Sequence, residues 1–337
     1  MTHPVLPTTE LGTGGPLVGV QGLGCMGMSE FYGPTDSDEA LATLGAALEA
    51  GVTLFDTADM YGFGRNEEFV GPFVRANRDK VVIATKFAIE RSEQDPTRRA
   101  VRNDPAYIRA AVDASLRRLG VDEIDLYYMH RRNPDVPLAE SVGAMAGLVE
   151  AGKVRHLGLS EVTGAELREA HAVHPIAAVQ SEWSVFARDV ERSAVPAAAE
   201  LGVAFVPYSP LGRGFLTGAF QDAGKLSDND FRRTHPRYTG DNAAANGELL
   251  APLREIAQAH GGTLAQVALA WVHQRAEVHG LTVVPIPGTR KRSRLAENTA
   301  AATLRLTEAD LALLEPVSGR VAGDRYADMS NTSVGRE

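Results

Sequence analysis

The chain has 337 residues, 44 % of them apolar, and a formal net charge of −9. That length and apolar content allow a large core, while the acidic balance argues against a broad electrostatic grip on nucleic acid. A single cysteine, Cys25, excludes an internal disulfide, suits a reducing compartment and reads as a small buried hydrophobe. The start Met1-Thr2-His3-Pro4 carries no basic and then apolar leader, and no run approaches the roughly 20 apolar residues that span a bilayer. A cytoplasmic protein without membrane contact is expected.

In chain order, residues 5–11 and 16–20 around Gly12-Thr13-Gly14-Gly15 read as a small β-hairpin, suited to plug one end of a barrel. Short β-rich runs follow at 21–24, 52–55, 81–85, 124–128, 154–159, 177–179, 203–206 and 281–284. Between them, helical spacing occupies 38–50, 66–77, 105–119, 138–150, 164–172, 189–201 and 248–260. On 105–119, Ala111, Ser115, Leu116 and Leu119 share a face behind the cap Asp104-Pro105, and Gly51, Gly120, Gly152 and Gly202 punctuate helix ends. Eight strands alternating with helices predict an α/β protein, a (β/α)8 TIM barrel spanning 1–337 as one domain; a shorter open doubly wound sheet is the structural alternative. Segments 88–104, 221–246 and 321–337 break the repeat. Long loops in compact domains tend to be functional, and the first two with part of the third are expected to rim the pocket.

Gly22-Leu23-Gly24-Cys25-Met26-Gly27 matches the dinucleotide fingerprint GxGxxG. The fingerprint needs a helix to open at once and hold the pyrophosphate at its N-terminus, but here the helix begins only near Asp38. The glycines are better read as a tight strand that something approaches closely.

Three strand-like runs end on ionisable side chains: Asp56, Lys86 and His130, with Tyr61 in the turn after Asp56. In a parallel barrel such ends converge on one face, which carries the chemistry. Singly, each residue has an ordinary structural use as a cap, an anchor or an ion pair. Together they suit carbonyl reduction. Hydride addition leaves an alkoxide that needs a proton, and Tyr61 can supply it if Lys86 lowers its high phenolic pKa. Asp56 would pair Lys86, and His130 would polarise the carbonyl. No HxH or HExxH spacing suggests a metal, and His171 and His174 read as surface residues at a helix end.

Asp56, Tyr61, Lys86 and His130 resemble, spacing included, the catalytic tetrad of the aldo-keto reductases. The resemblance runs from about Leu11 to Arg320 and includes Ser115-Leu116-Arg117-Arg118-Leu119-Gly120-Val121-Asp122, Gly158-Leu159-Ser160, Pro207-Tyr208-Ser209-Pro210-Leu211-Gly212-Arg213-Gly214 and Ile286-Pro287-Gly288-Thr289-Arg290. It is similar to the long-loop branch of auxin-induced-type reductases, related to potassium-channel β-subunits. The family implies reduction of small aldehydes or ketones by NADPH bound in an extended form; the channel subunits keep a second reading open, an NADPH-sensing regulator with slow turnover. By the same resemblance Ser160 and Gln180 hold the carboxamide, Tyr208 stacks on the nicotinamide, and Ser209, Pro210, Leu211 and Arg213 lie beside the pyrophosphate. Gly288, Thr289, Arg290, Arg294, Glu297 and Asn298 fall in the adenosine-binding stretch. Arg290 and Arg294, four apart, would share a helix face and read a 2′-phosphate. Glu161 stands where many members have asparagine and cannot donate to a carboxamide unless protonated. Met28, Phe31, Tyr32, Phe63, Phe87 and Trp183, with Phe186 and Phe231, are the expected pocket walls.

Overall fold

The structure, a computed structural model, describes residues 5–95, 99–220, 222–228 and 230–337. Seven parallel strands pair in sequence order: β1 (Leu23–Gly24), β2 (Leu54–Asp56), β3 (Val82–Phe87), β4 (Ile124–Met129), β5 (Val154–Ser160), β6 (Ile176–Glu182) and β7 (Ala204–Tyr208). The eighth staves the barrel without forming a regular strand. Residues 282–288 bridge β7 at Phe205↔Val283 and β1 at Gly24↔Gly288, with Val284 donating to Phe205 O at 3.0 Å and Gly22 to Pro285 O at 3.0 Å. Pro285 and Pro287 have no N–H, so the expected strand at 281–284 is reduced to this interrupted ladder. The glycine motif is explained here. A Cβ on Gly24 would lie 3.0 Å from Ile286 O, so glycine lets the last stave close against the first.

Outside the strands lie α1 (Ser37–Glu49), α2 (Arg65–Ala76), α3 (Pro105–Leu119), α4 (Leu138–Glu150), α5 (Gly164–Val173) and α6 (Ala194–Leu201). Asp104 caps α3 by accepting from Tyr107 N, and Gly120 closes it in the left-handed region. The region expected as one helix at 189–201 is a 3-10 turn, Asp189–Arg192, followed by α6. The region at 248–260 resolves into α7 (Gly240–Glu248) and α8 (Ala251–Ala259). Three helices escape the periodicity argument: α9 (Leu264–His279), α10 (Arg292–Ala300) and α11 (Glu308–Leu314). Helix α9 is buried on most of its circumference, which flattens its polar–apolar rhythm. Its capping box, Thr263 with Gln266, is the signal the sequence carries, as is Thr307 with Asp310 for α11.

The hairpin of Thr8–Glu10 and Leu17–Gly19 forms as expected. Its Leu11 and Val18 pack with Ala177, Ala204 and Leu54 at the strand starts, and Thr13 N donates to Gly202 O at 2.8 Å, so it plugs the end opposite Asp56, Lys86 and His130.

Strand side chains alternate between faces, and the two faces are separate cores. Leu54, Ala84, Leu126, Tyr128, Ala178, Ala204 and Val206 fill the barrel; Phe55, Ile83, Tyr127, Val179 and Phe205 pack against the helices. The large ring of Tyr128 fits inside because residue 158 is glycine: a Cβ there would lie 2.4 Å from the ring. Gly158→Ala is therefore expected to cost about 1–3 kcal/mol, the usual range for overpacking, read as a lowered melting temperature.

Candidate active site

The interior-facing set continues by two residues toward the strand ends and turns polar. Leu54 leads to Asp56, Ala84 to Lys86, Tyr128 to His130, Gly158 to Ser160, Ala178 to Gln180 and Val206 to Tyr208. Backbone bonds fix the relative heights: Thr57 N donates to Ala84 O at 2.9 Å, Asp59 N to Lys86 O at 3.0 Å and His130 N to Phe87 O at 2.9 Å. Buried Lys86 Nζ donates to Asp56 Oδ1 and, at 2.7 Å, to Thr57 O. The other carboxylate oxygen of Asp56 accepts from Gln180 Nε2 at 2.8 Å.

Tyr61 enters from the loop after β2. Gly62 and Phe63 (φ 57° and 58°) and Gly64 (φ 91°) are all left-handed, which turns the chain back sharply into α2. Glu30 holds this turn by accepting from Gly62 N at 2.8 Å and from Arg91. The phenol ring stands edge-on to His130 with centroids 5.9 Å apart, and Lys86 Nζ lies 5.3 Å from its centre. All four expected catalytic side chains are thus gathered in one place.

Burial pushes the Tyr61 phenol well above its ordinary value, and Asp56 adds to the effect; the cation that opposes them is Arg131. Lys86 was expected in that part, but its charge is matched by Asp56. Burial also pulls Lys86 itself down, against the pull of Asp56. His130 is driven well below its usual pKa by burial and then by Arg131, Lys86 and Arg99, so its imidazole is neutral. A neutral imidazole still has one N–H to give. Turnover is accordingly expected to show no inflection near pH 6.5 from His130, checked by a pH–rate profile from pH 5 to 8. Cys25 is buried with its thiol pushed up by desolvation, an inert packing residue as expected.

Glu161 does not face the site as a carboxamide ligand would. It takes a left-handed φ of 53°, and its fully buried carboxylate accepts from both ends of the Arg325 guanidinium at 3.0 and 3.2 Å, from Tyr208 OH at 2.8 Å, and from Glu182 N and Ser333 N at 3.2 Å each. Burial alone would raise its pKa, but Arg325, Arg131 and these hydrogen bonds outweigh it and hold it at about 2. The C-terminal tail is thereby drawn over the barrel mouth. Tyr326 OH sits 3.2 Å from Tyr208 OH and accepts from Arg213 at 2.6 Å; Arg336 pairs with Glu166 at 2.9 Å. Part of the tail does rim the pocket.

The segment after β7 coils tightly: Ser209 (φ 49°), Gly212 (54°), Arg213 (56°) and Gly214 (94°) are left-handed. Pro210 and Leu211 lie within it. Turns of this kind can aim backbone N–H groups at an anion. At the expected adenosine stretch one correction is needed. Helix α10 begins at Arg292, so Arg290 and Arg294 do not share a helix face. Arg290 is spent on loop closure, donating to Gly27 O and Gly33 O at 3.1 Å, Thr35 Oγ1 at 2.9 Å and Tyr32 O at 2.7 Å. Arg292 pairs with Glu39 at 2.7 Å. Lys291 and Arg294 are exposed, and neither has an ion pair among the described residues. Gly288 is the barrel-closing residue, Thr289 Oγ1 accepts from Lys291 N at 3.1 Å, Glu297 O accepts from Gln266, and Asn298 is buried on α10.

Of the expected walls, Phe31, Tyr32 and Phe231 stand at the site. Phe31 meets Tyr61 edge-on at 6.4 Å and Phe231 at 5.2 Å, and Tyr32 meets Phe231 at 5.3 Å. The rest do not. Phe87 follows inward-facing Lys86 and so points to the helices, stacked on Tyr127 at 5.1 Å. Trp183 packs outside the barrel on Phe205 at 4.9 Å, its indole N–H bonded to Glu191 at 2.9 Å. Phe186 lies on Phe215 at 5.9 Å, and Met28 is buried in the same helix-side core. Phe63 lies under Arg91 at 4.2 Å, lining a separate cavity of about 310 Å³ with Asp59 and Tyr107. Residues 96–98, 221 and 229, within the two expected rim loops, lie outside the described residues.

The site also contains residues that sequence reasoning passed over: Arg131, Arg325 and Tyr326. Arg131 carried the clearest available signal, since it directly follows His130 at a strand end. The tail pair carried none, because their partners are more than 100 positions away.

A parallel barrel with a buried lysine–aspartate pair, a phenol and a neutral imidazole at its strand ends is the frame of a barrel oxidoreductase. The aldo/keto reductase family model matches residues 22–318. The chain is 42% identical over 330 residues to a probable aldo-keto reductase 1 of Glycine max, covering 97% of this chain and 93% of that protein. It matches the solved glycerol dehydrogenase of Gluconobacter oxydans with a TM-score of 0.82 at 27% identity, over 92% and 94% of the two chains. It matches an aldo/keto reductase of Klebsiella pneumoniae, solved with NADP and acetate, with a TM-score of 0.72 at 28% identity, over 94% and 98%. The chain belongs to the aldo/keto reductase family, whose members are NADP-dependent oxidoreductases. Among the described residues no helix is long and apolar enough to cross a membrane, and no group of His, Cys, Asp and Glu is arranged to hold a metal ion.

Proposed function

We propose that the whole chain, as one unit, reduces small aldehydes or ketones to alcohols with NADPH. The observation that carries this is the convergence of Tyr61, His130 and the Lys86–Asp56 pair within one polar strand-end cluster. When bound, NADPH supplies the hydride that adds to the carbonyl carbon. Ser160 and Gln180 would meet the carboxamide, Tyr208 would pack on the ring, the coil from 209 to 214 would receive the diphosphate, and Lys291 with Arg294 would meet a 2′-phosphate.

The protein's own groups do the rest. His130 donates a hydrogen bond to the substrate oxygen and fixes its position. Tyr61, kept protonated by burial, gives up its proton as negative charge develops on that oxygen. Lys86, anchored by Asp56 and Thr57 O, lies 5.3 Å from the centre of the phenol ring and positions it, its charge matched by Asp56. Phe31, Tyr32 and Phe231 form an aromatic wall beside the phenol. The test follows NADPH oxidation by absorbance with aromatic aldehydes and α-dicarbonyls. Turnover by the wild type that falls by at least ~10²-fold in Lys86→Met supports the reading, since misplacing a general acid costs about that much; equal rates in the two proteins contradict it.

A further inference from the structure

One strong charge at the site bears on Tyr61 and His130 and has no ion pair of its own among the described residues. Half-buried Arg131, the residue after His130, uses a single terminal nitrogen for its protein contacts: Nη1 donates to His130 O at 2.7 Å and to Ser160 Oγ at 3.2 Å. Its other edge, Nε and Nη2, makes no hydrogen bond to the described residues. No carboxylate among the described residues lies within ion-pair distance of it. Glu161, a carboxylate that bears on it electrostatically, is already bound by Arg325, and the phenols of Tyr208, Tyr326 and Tyr61 bear on it too. Arg99, with no ion pair among the described residues, adds to the positive field at Arg131 and His130. A guanidinium beside His130 with a free donor edge, in a protein of net charge −9, is not there for solubility.

We propose that Arg131 binds a carboxylate on the substrate, so that the preferred carbonyls are oxo acids with the carboxylate next to the ketone or aldehyde. The free edge of a guanidinium is a planar fork of two N–H donors, matched to the two oxygens of a carboxylate. Anchoring the carboxylate at Arg131 leaves the adjacent carbonyl one carbon away, within reach of Tyr61 and His130. The inference rests on the reductase reading above. The reaction is unchanged in kind: the 2-oxo acid gains a hydride from NADPH at its carbonyl carbon and a proton from Tyr61 at its oxygen, giving the 2-hydroxy acid and NADP+, and Tyr61 regains its proton from water.

The test compares phenylglyoxylate with its methyl ester, which keeps the ketone and loses the charge. In the wild type kcat/KM should favour the acid. In Arg131→Met the acid-to-ester ratio should fall by roughly 10- to 100-fold, the worth of one charged hydrogen-bonded contact. Arg131→Lys, which keeps the charge without the fork, should fall between. A second reading without NADPH is the thermal shift of the protein titrated with phenylglyoxylate and with the ester. A saturable shift for the acid alone, lost in Arg131→Met, supports the site. If the ester is reduced as well as the acid, or Arg131→Met depresses both equally, the carboxylate assignment is overturned while carbonyl reduction stands. If neither compound is reduced but the acid-specific shift is present, the anion site stands and the reductase reading falls.

Discussion

Tyr61→Phe is expected to retain NADPH affinity and to lose at least ~10²-fold in turnover, since a positioned general acid contributes 10²–10⁴-fold. Tyr61 is 8% exposed and held between His130 and Lys86, so phenylalanine keeps the ring in place and removes only the hydroxyl. Fluorescence titration with NADPH gives the affinity, and single-turnover absorbance gives the chemical step. Burial raises the Tyr61 pKa, so the phenol is protonated at neutral pH, the form a proton donor needs. A near-normal rate in the phenylalanine variant would remove Tyr61 from the role of acid.

The second large effect is expected away from the chemistry, at the pair Glu161–Arg325, whose side chains are 0% and 1% exposed. Removing one partner of a buried pair leaves the other charge without compensation, typically at a cost of 3–5 kcal/mol. Glu161→Gln should therefore release the tail, because Arg325, Tyr208 OH and Ser333 N all bond to that one carboxylate. Hydrogen exchange over 321–337 is the direct readout, with loss of protection there and retention in β3 and β4. Acid should do the same to the wild type. The carboxylate pKa falls from an ordinary 4.5 to about 2 on folding. Its stabilisation is then complete above pH 4.5 and lost as pH falls through 2, worth about 3 kcal/mol at 1.36 kcal/mol per unit. A tail that keeps its protection in Glu161→Gln would show that Arg325 is held by other contacts.

Much of the barrel was legible because its determinants are local. Strand and helix rhythm, the Asp104-Pro105 cap and the glycine helix ends lie within a few residues of what they specify, and α3 and α4 fall on their expected boundaries. The convergence of Asp56, Lys86 and His130, the proposed catalytic residues, was legible for the same reason, since they are the polar continuation of short apolar strands. The pocket walls were read by residue type alone, and strand parity decides them: Phe87 follows Lys86 and faces outward, as Trp183 does three residues after Gln180. Arg290 illustrates a different gap. Its four-residue spacing from Arg294 suggested phosphate, but its guanidinium is consumed by carbonyls more than 250 residues away, which no local pattern encodes. The Glu161–Arg325 bond is of that long-range kind too.

The most direct test of the central claim follows the hydrogen itself. NADPH carrying deuterium at C4 of the nicotinamide, on one face and then on the other, is incubated with the enzyme and an aromatic aldehyde that it reduces, and the alcohol is examined by NMR and mass spectrometry. Deuterium on the carbinol carbon from one face only is the expected result, because substrate and cofactor meet in a single geometry beside Tyr61 and His130. Alcohol formed without deuterium at that carbon from either face would contradict direct hydride transfer at this site.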